Sequence, residues 1–246
     1  MRPFALPLAV LLSSLAMPSL ADTAADILPD PERVLGPGLD FDARHEACLE
    51  AIAVDPESAF ETALTWVGRG GGHRARHCEA MALFALGQEK EAGARLDDLA
   101  TRLPTQAGGT VDRWRTDYRA AAAQSWLQSG EYDAAYMSAT AALEITPADA
   151  DARITRARVY FALDRVSDAD VDLTTLLVFH PDHAEGLRYR ADARLRQGRL
   201  DDALRDISDS LSLETSVDSA LVRGHILEAI RERDALASTS TAQDTP

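Results

Sequence analysis

Apolar residues along this chain recur at helical spacing rather than alternating, so the elements it predicts are helices that bury one face. Leu96, Ala139, Leu173 and Ile207 occupy one register, and Leu99, Ala142, Leu176 and Ser210 the next, forming a single stripe that returns along the sequence. Pro147 and Pro181 stand 34 residues apart. Between them the order is a Gly or Asp turn, an apolar residue two positions later, an Ala, and an apolar run that closes at the Pro. Upstream, Ala43 to Val54 and Glu57 to Val67 predict a helical hairpin divided by Asp55-Pro56, where Pro opens the second helix. Downstream, Asp218 to Leu236 predicts one closing helix, and the polar residues from 237 onward predict a disordered tail. The chain begins with Met1-Arg2-Pro3, an apolar run from Phe4 to Leu15, and small residues ending at Ala21. That pattern reads as a signal peptide over 1–21, followed by an extended or disordered lead over 22–42. The apolar run is shorter than the ~20 residues of a spanning helix. No Cys follows the predicted cut to carry a lipid.

A 34-residue period is the length of the tetratricopeptide repeat. With Gly130-Glu131-Tyr132-Asp133-Ala134-Ala135 set on that family's mid-repeat turn, repeats fall at 116–149, 150–183 and 184–217, with a weaker one at 73–106 that ends near Pro104. The family needs a small side chain at the eighth position, in helix A, and at the twentieth, in helix B, because the two helices touch there. Here those positions are Ala80, Ala123, Ala157 and Ala191, then Ala92, Ala135, Ala169 and Ala203. On these residues the chain resembles the tetratricopeptide-repeat family over nearly all of its mature length.

The resemblance implies an all-α fold: a right-handed α-solenoid of antiparallel helix hairpins, ending in a C-terminal capping helix. It also implies recognition of a peptide or protein in a concave groove lined by the A helices. The groove-facing positions are Asp117, Ala120, Gln124, Leu127 and Gln128, then Asp151, Ile154, Arg158, Phe161 and Ala162, then Glu185, Arg188, Asp192, Leu195 and Arg196. Of these, Gln124, Gln128, Arg158, Phe161, Arg188, Asp192 and Arg196 are the expected peptide-binding set. Its arginines suit a ligand carboxylate, held through forked charge-assisted hydrogen bonds. The alternative is that Arg188, Asp192 and Arg196 pair along one helix face for a few tenths of a kcal/mol each.

The chain departs from the family in two ways. Arg76, Arg119 and Arg153 stand where a large apolar residue is usual early in helix A, with Leu187 in the last repeat, and Arg194 replaces the aromatic found as Trp126 and Tyr160. These helices are expected to pack less tightly. The segment Thr105 to Thr110 lengthens one connection, so the reading divides the array into 43–104, a linker at 105–112, and 113–236.

Composition narrows the function. Aromatics are only 6% of residues and hydrophobic residues 46%, so Ala, Leu and Val must form the core, which suits helix-on-helix packing. A net charge of -15 argues against nucleic acid and anionic membrane surfaces as partners. Cys48 and Cys78 are the only cysteines, and the expected reading is a disulfide between them, with two buried thiols or a zinc site with His45 and His77 as the alternatives. Adjacent His77 and Cys78 point about 100° apart on a helix, which disfavours the metal. Gly68-Arg69-Gly70-Gly71-Gly72 offers free N–H groups to an anion or is a plain interhelical loop; His73-Arg74 stands where a P-loop needs Lys-Ser/Thr. His180, His183 and His225 read as lone surface histidines, and the carboxylates as lying on turns and outward faces. No catalytic motif is present. The expectation is a non-catalytic, cofactor-free, protein- or peptide-binding module of the periplasm or secreted space, not inserted in a membrane. The alternative is a structural part of a homo-oligomer or envelope assembly using the convex face or the solenoid ends.

Overall fold

The chain divides into two units, Met1–Leu39 and Asp40–Pro246. The computed structural model of the protein describes residues 41–104 and 109–243, with side chains of the last helix described as far as residue 238. The expected signal peptide, nearly all of the lead that follows it, and residues 105–108 lie outside the described residues. Eleven helices occupy the described part of the second unit: α1 Phe41–Val54, α2 Pro56–Gly68, α3 Gly72–Ala85, α4 Glu89–Arg102, α5 Gly109–Gln128, α6 Tyr132–Ile145, α7 Ala150–Ala162, α8 Val166–Phe179, α9 Ala184–Arg196, α10 Leu200–Leu213 and α11 Val217–Gln243.

Local chemistry starts and stops these helices. Asp55 caps α2, accepting from the Ser58 N–H at 3.1 Å with Pro56 behind it, and Asp149 caps α7 through the Ala152 N–H at 2.8 Å; each satisfies a donor the helix leaves open. The turn inside each repeat puts Gly87, Gly130, Asp164 and Gly198 at the same register, all with positive φ. That is the left-handed conformation glycine adopts without a Cβ penalty, and Asp164 is the one non-glycine among the described residues to adopt it.

Helices pack in antiparallel hairpins, each against the next in sequence, and α1 on α3, α5 on α7 and α9 on α11 as well. The eight alanines predicted at the helix A–helix B contact all have no solvent exposure. This is the α-solenoid that the repeat register implies. The core is divided along the array; clusters such as Ile154, Ala157, Tyr160, Ala169, Leu173 and Leu176 recur repeat by repeat. The last one, around Ile207, is closed by Ile226 of α11 with Val222 and Ile230 beside it.

Three boundaries differ from the sequence reading, the first being α1, which begins at Phe41 inside the expected extended or disordered lead. Helix α5 begins at Gly109, inside the stretch expected as linker, and α11 continues to Gln243, so 237–243 are helical rather than disordered. The expected division at 105–112 is also bridged: the Asp97 carboxylate on α4 accepts from Arg119 (2.6 Å) and Trp126 (2.8 Å) on α5 and from Ser138 (2.9 Å) on α6. The Trp126 ring fills the space left by Gly93 of α4, where a Cβ would come within 2.8 Å of it.

Candidate functional site

Helices α5, α7 and α9 present the groove positions. Of these, Ala120 and Ile154 are buried in the interior core rather than open to a groove, whereas Gln124 and Gln128 on α5 are exposed. On α7 and α9 the side chains meet. The Phe161 and Tyr189 ring centroids are 6.3 Å apart, the Arg196 guanidinium lies over the Phe161 ring at 4.9 Å, and that of Arg188 lies over Tyr189 at 4.1 Å. Cation–π contacts of this kind hold a guanidinium flat against an apolar surface. Arg196 also pairs with Asp192 at 3.0 Å and Arg188 with Glu185 at 3.2 Å, so pairing along the helix face is real. Its partners differ from those expected: Arg188 turns toward Glu185, one turn earlier. Arg158, half-buried on α7 three residues before Phe161, makes no ion pair among the described residues. Phe161, Arg188, Asp192 and Arg196 thus form one patch with Tyr189, a residue the register reading left out; Gln124 and Gln128 stand one hairpin away. Toward α5 the groove turns acidic, and burial raises the Asp117 carboxyl above the usual carboxylate range, with Asp149 and Asp151 adding repulsion against the pull of Arg113.

The carboxylates expected on turns and outward faces include several that are buried. Arg156 of α7 forks onto Asp172 of α8 with two hydrogen bonds of 2.7 Å, and Arg190 of α9 forks onto Asp206 of α10 at 2.8 and 2.7 Å. Both pairs span 16 residues. The Asp172 and Asp206 side chains are 8% and 4% exposed, so these are interior ion pairs rather than surface ones. In the weaker repeat at 73–106 the same register carries the charges reversed, with Arg95 paired to buried Glu79. Arg194 adds a third bond to Asp206 at 2.7 Å. Arg153 donates to the Pro147 carbonyl at 2.9 Å and lies 3.5 Å from Asp172. The arginines that break the family pattern are therefore packed and partnered, and the looser packing expected of Arg119, Arg153 and Arg194 is not observed. Arg76 alone of that group has no such partner among the described residues.

At the other end, Cys48 of α1 and Cys78 of α3 are joined by a disulfide with a Cα–Cα distance of 6.2 Å. Beside it, His45 Nε2 and His77 Nδ1 are 2.8 Å apart. His73 Nδ1 meets the Tyr118 hydroxyl at 2.7 Å, and the Trp114 ring covers His73 at 4.1 Å. Burial, reinforced by Arg74 and His45, lowers the His73 pKa to about 4. Burial, reinforced by His45 and His73, lowers that of His77 to about 3, and His45 is lowered by burial and Arg74. In the glycine run the N–H groups of Arg69, Gly70 and Gly71 bond to carbonyls at the end of α2, so these three are not offered to an anion. Nor are His180 and His183 idle: His180 meets the Ala148 carbonyl at 2.7 Å and His183 caps α9 by accepting from the Gly186 N–H at 3.1 Å.

Comparison with known proteins agrees with this geometry. A family model of the tetratricopeptide repeat matches residues 127–185. The curated relative "DnaJ homolog subfamily C member 7 homolog" of Dictyostelium discoideum is 32% identical over 93 residues, 36% of this chain but only 17% of that protein. Among solved structures, MamA 41-end from Desulfovibrio magneticus RS-1 is similar at 17% identity over 72% of this chain and 95% of its own, with a TM-score of 0.57. A thermophilic TPR protein of Thermus thermophilus is similar at 18% identity over 76% and 98%, TM-score 0.52. YrrB, described as a TPR protein with an unusual peptide-binding site, is similar at 12% identity over 82% and 96%, TM-score 0.53. These likenesses show the fold: an array of tetratricopeptide-type hairpins.

Proposed function

We propose that this chain is a non-catalytic module that binds a peptide or protein segment in the concave groove, anchored at the patch of Phe161, Tyr189, Arg158, Arg188 and Arg196. The observation that carries the reading is the company these groups keep: two rings at 6.3 Å with a guanidinium laid on each, and Arg158 three residues before Phe161 on α7. An aromatic floor with cations above it suits a segment that carries an acidic side chain or a terminal carboxylate next to an apolar residue. The fold is one in which YrrB has a peptide-binding site. Several buried titratable groups support a binding role rather than chemistry, since Asp172, Asp206 and His73 are each engaged in bonds between helices. A second reading has its own observation: Met137, Val171 and Val178 are 64%, 66% and 74% exposed on α6 and α8, an apolar surface suited to assembly.

Selection of peptides from a random library against the purified protein, followed by titration of the selected peptides by fluorescence anisotropy, tests the groove. Arg158→Ala with Arg196→Ala is expected to weaken binding at least tenfold, or about 1.4 kcal/mol, with an unchanged helical circular dichroism signal. Equal affinity of the double variant at low salt would move binding off this groove. We further propose that the protein is exported and works in an oxidising compartment; the charged, apolar and small-residue succession at 1–21 and the Cys48–Cys78 bond support this. N-terminal sequencing of the protein from fractionated cells should read from Asp22; an intact Met1 in the cytosolic fraction refutes export.

A further inference from the structure

Six histidines occur in the sequence, all within the described residues. Four are accounted for by ordinary roles: His73 meets a tyrosine, His180 a carbonyl, His183 caps a helix, and His225 is exposed on α11. The remaining two, from helices α1 and α3, direct ring nitrogens at each other across 2.8 Å. A hydrogen bond between neutral imidazoles explains the distance but not why two helices should each place a histidine there, half-buried, when an apolar pair would close the same contact.

We propose that His45 Nε2 and His77 Nδ1 form a bidentate site for a divalent transition metal of the Cu(II) type. With metal–nitrogen bonds of about 2.0 to 2.1 Å, two nitrogens adjacent in a square plane lie about 2.9 Å apart, whereas two in a tetrahedron lie about 3.3 Å apart. The two nitrogens face each other at 2.8 Å, near enough for both to reach one ion once the rings turn; Cu(II) is the divalent ion that nitrogen donors hold most tightly. The one proton shared between the rings moves to the far nitrogen of the ring that donated it, and each imidazole stays neutral. Coordination requires the lone pairs to converge by rotation about the Cβ–Cγ bonds; the helices themselves are held by Cys48–Cys78, three residues from His45 and one from His77. No third His, Cys, Asp or Glu completes a cluster among the described residues, so water supplies the other positions. Asp42, paired with Arg74 at 2.6 Å, tempers the nearest cation.

The test uses the purified protein, disulfide intact and metal-stripped, titrated with CuCl2 at pH 7 and followed by calorimetry and electron paramagnetic resonance. The expected result is one ion per chain, with nitrogen coupling from two imidazoles. His45→Asn and His77→Asn should each weaken binding at least tenfold, and His225→Asn should leave it unchanged. Because His77 packs on Tyr118 at 4.7 Å, its variant can lose structure, so carbethoxylation of the unmutated protein gives a second readout: Cu(II) should protect His45 and His77 and leave His225 reactive. Absence of saturable binding overturns the proposal. So does binding retained in His45→Asn, or protection that falls on His180 and His183 instead.

Discussion

Replacing Asp172 by Ala is the sharpest test of how this array is held together. Its carboxylate accepts two 2.7 Å bonds from Arg156, with Arg153 a further 3.5 Å away. The three side chains are only 8%, 16% and 10% exposed. Removing the acid leaves two guanidinium groups in the interior with one hydroxyl, Thr140 at 3.2 Å, and one carbonyl, Pro147, as partners. Loss of one member of a buried pair costs about 3 to 5 kcal/mol, because the remaining charge is uncompensated. For a chain of this size each 1 kcal/mol is worth about 2 to 4 °C, so Asp172→Ala should melt about 6 to 12 °C lower at the smaller figure. The pair as a whole is worth far less than its loss by halves. Arg156→Leu combined with Asp172→Leu removes the forked pair and fills the space with apolar volume, leaving Arg153 on the Pro147 carbonyl, and should be more stable than Asp172→Ala. Thermal melts and urea titrations of the three proteins decide it. A single variant that costs under about 1 kcal/mol would mean the pair behaves as a solvated surface contact. A double variant less stable than the single one would mean that the repeats depend on the charges themselves.

Three further outcomes follow from the same structure. Replacing Cys48 and Cys78 by Ala removes a bond that closes a 30-residue separation and should cost about 3.6 kcal/mol in the chain-entropy picture; an unchanged melting temperature under non-reducing conditions refutes it. His73 and His77 have folded pKa values lowered to about 4 and 3, so the unfolded chain binds more protons than the folded one below about pH 6.5. Stability is then full above about pH 6.5 and falls on acidification toward about pH 4, by up to about 1.4 kcal/mol per pH unit for each histidine; a flat urea midpoint between pH 7 and 5 counts against these burials. Gly93→Ala places a Cβ within 2.8 Å of the Trp126 ring, which should displace the indole from Asp97 and cost about 1 to 3 kcal/mol, with a red-shifted tryptophan emission; an unshifted spectrum and melt would deny the close fit.

Much of the fold was legible because it is local and periodic. A helix contact that tolerates only a small side chain repeats every 34 residues along the best part of the array, so Ala123, Ala157 and Ala191 declare it in sequence, and all are without exposure. The turns at Gly87, Gly130, Asp164 and Gly198 are equally local, since a positive φ is a property of one residue and its neighbours. The groove was half legible: register puts Phe161, Arg188, Asp192 and Arg196 on one face, but which partner each arginine takes depends on side-chain reach between α7 and α9. Tyr189 was missed because it sits one step beyond the groove positions. The buried pairs were missed because an Arg and an Asp look solvated in a linear sequence. Their signal was the recurrence of Arg at 156 and 190 with Asp at 172 and 206, one repeat apart. What only the tertiary structure decided is whatever two separate helices must supply together. The Cys48–Cys78 bond, the facing nitrogens of His45 and His77, and the Asp97 bridge across α4, α5 and α6 all depend on how one hairpin is set against the next. That setting comes from packing at many contacts at once, and no single stretch of sequence carries it.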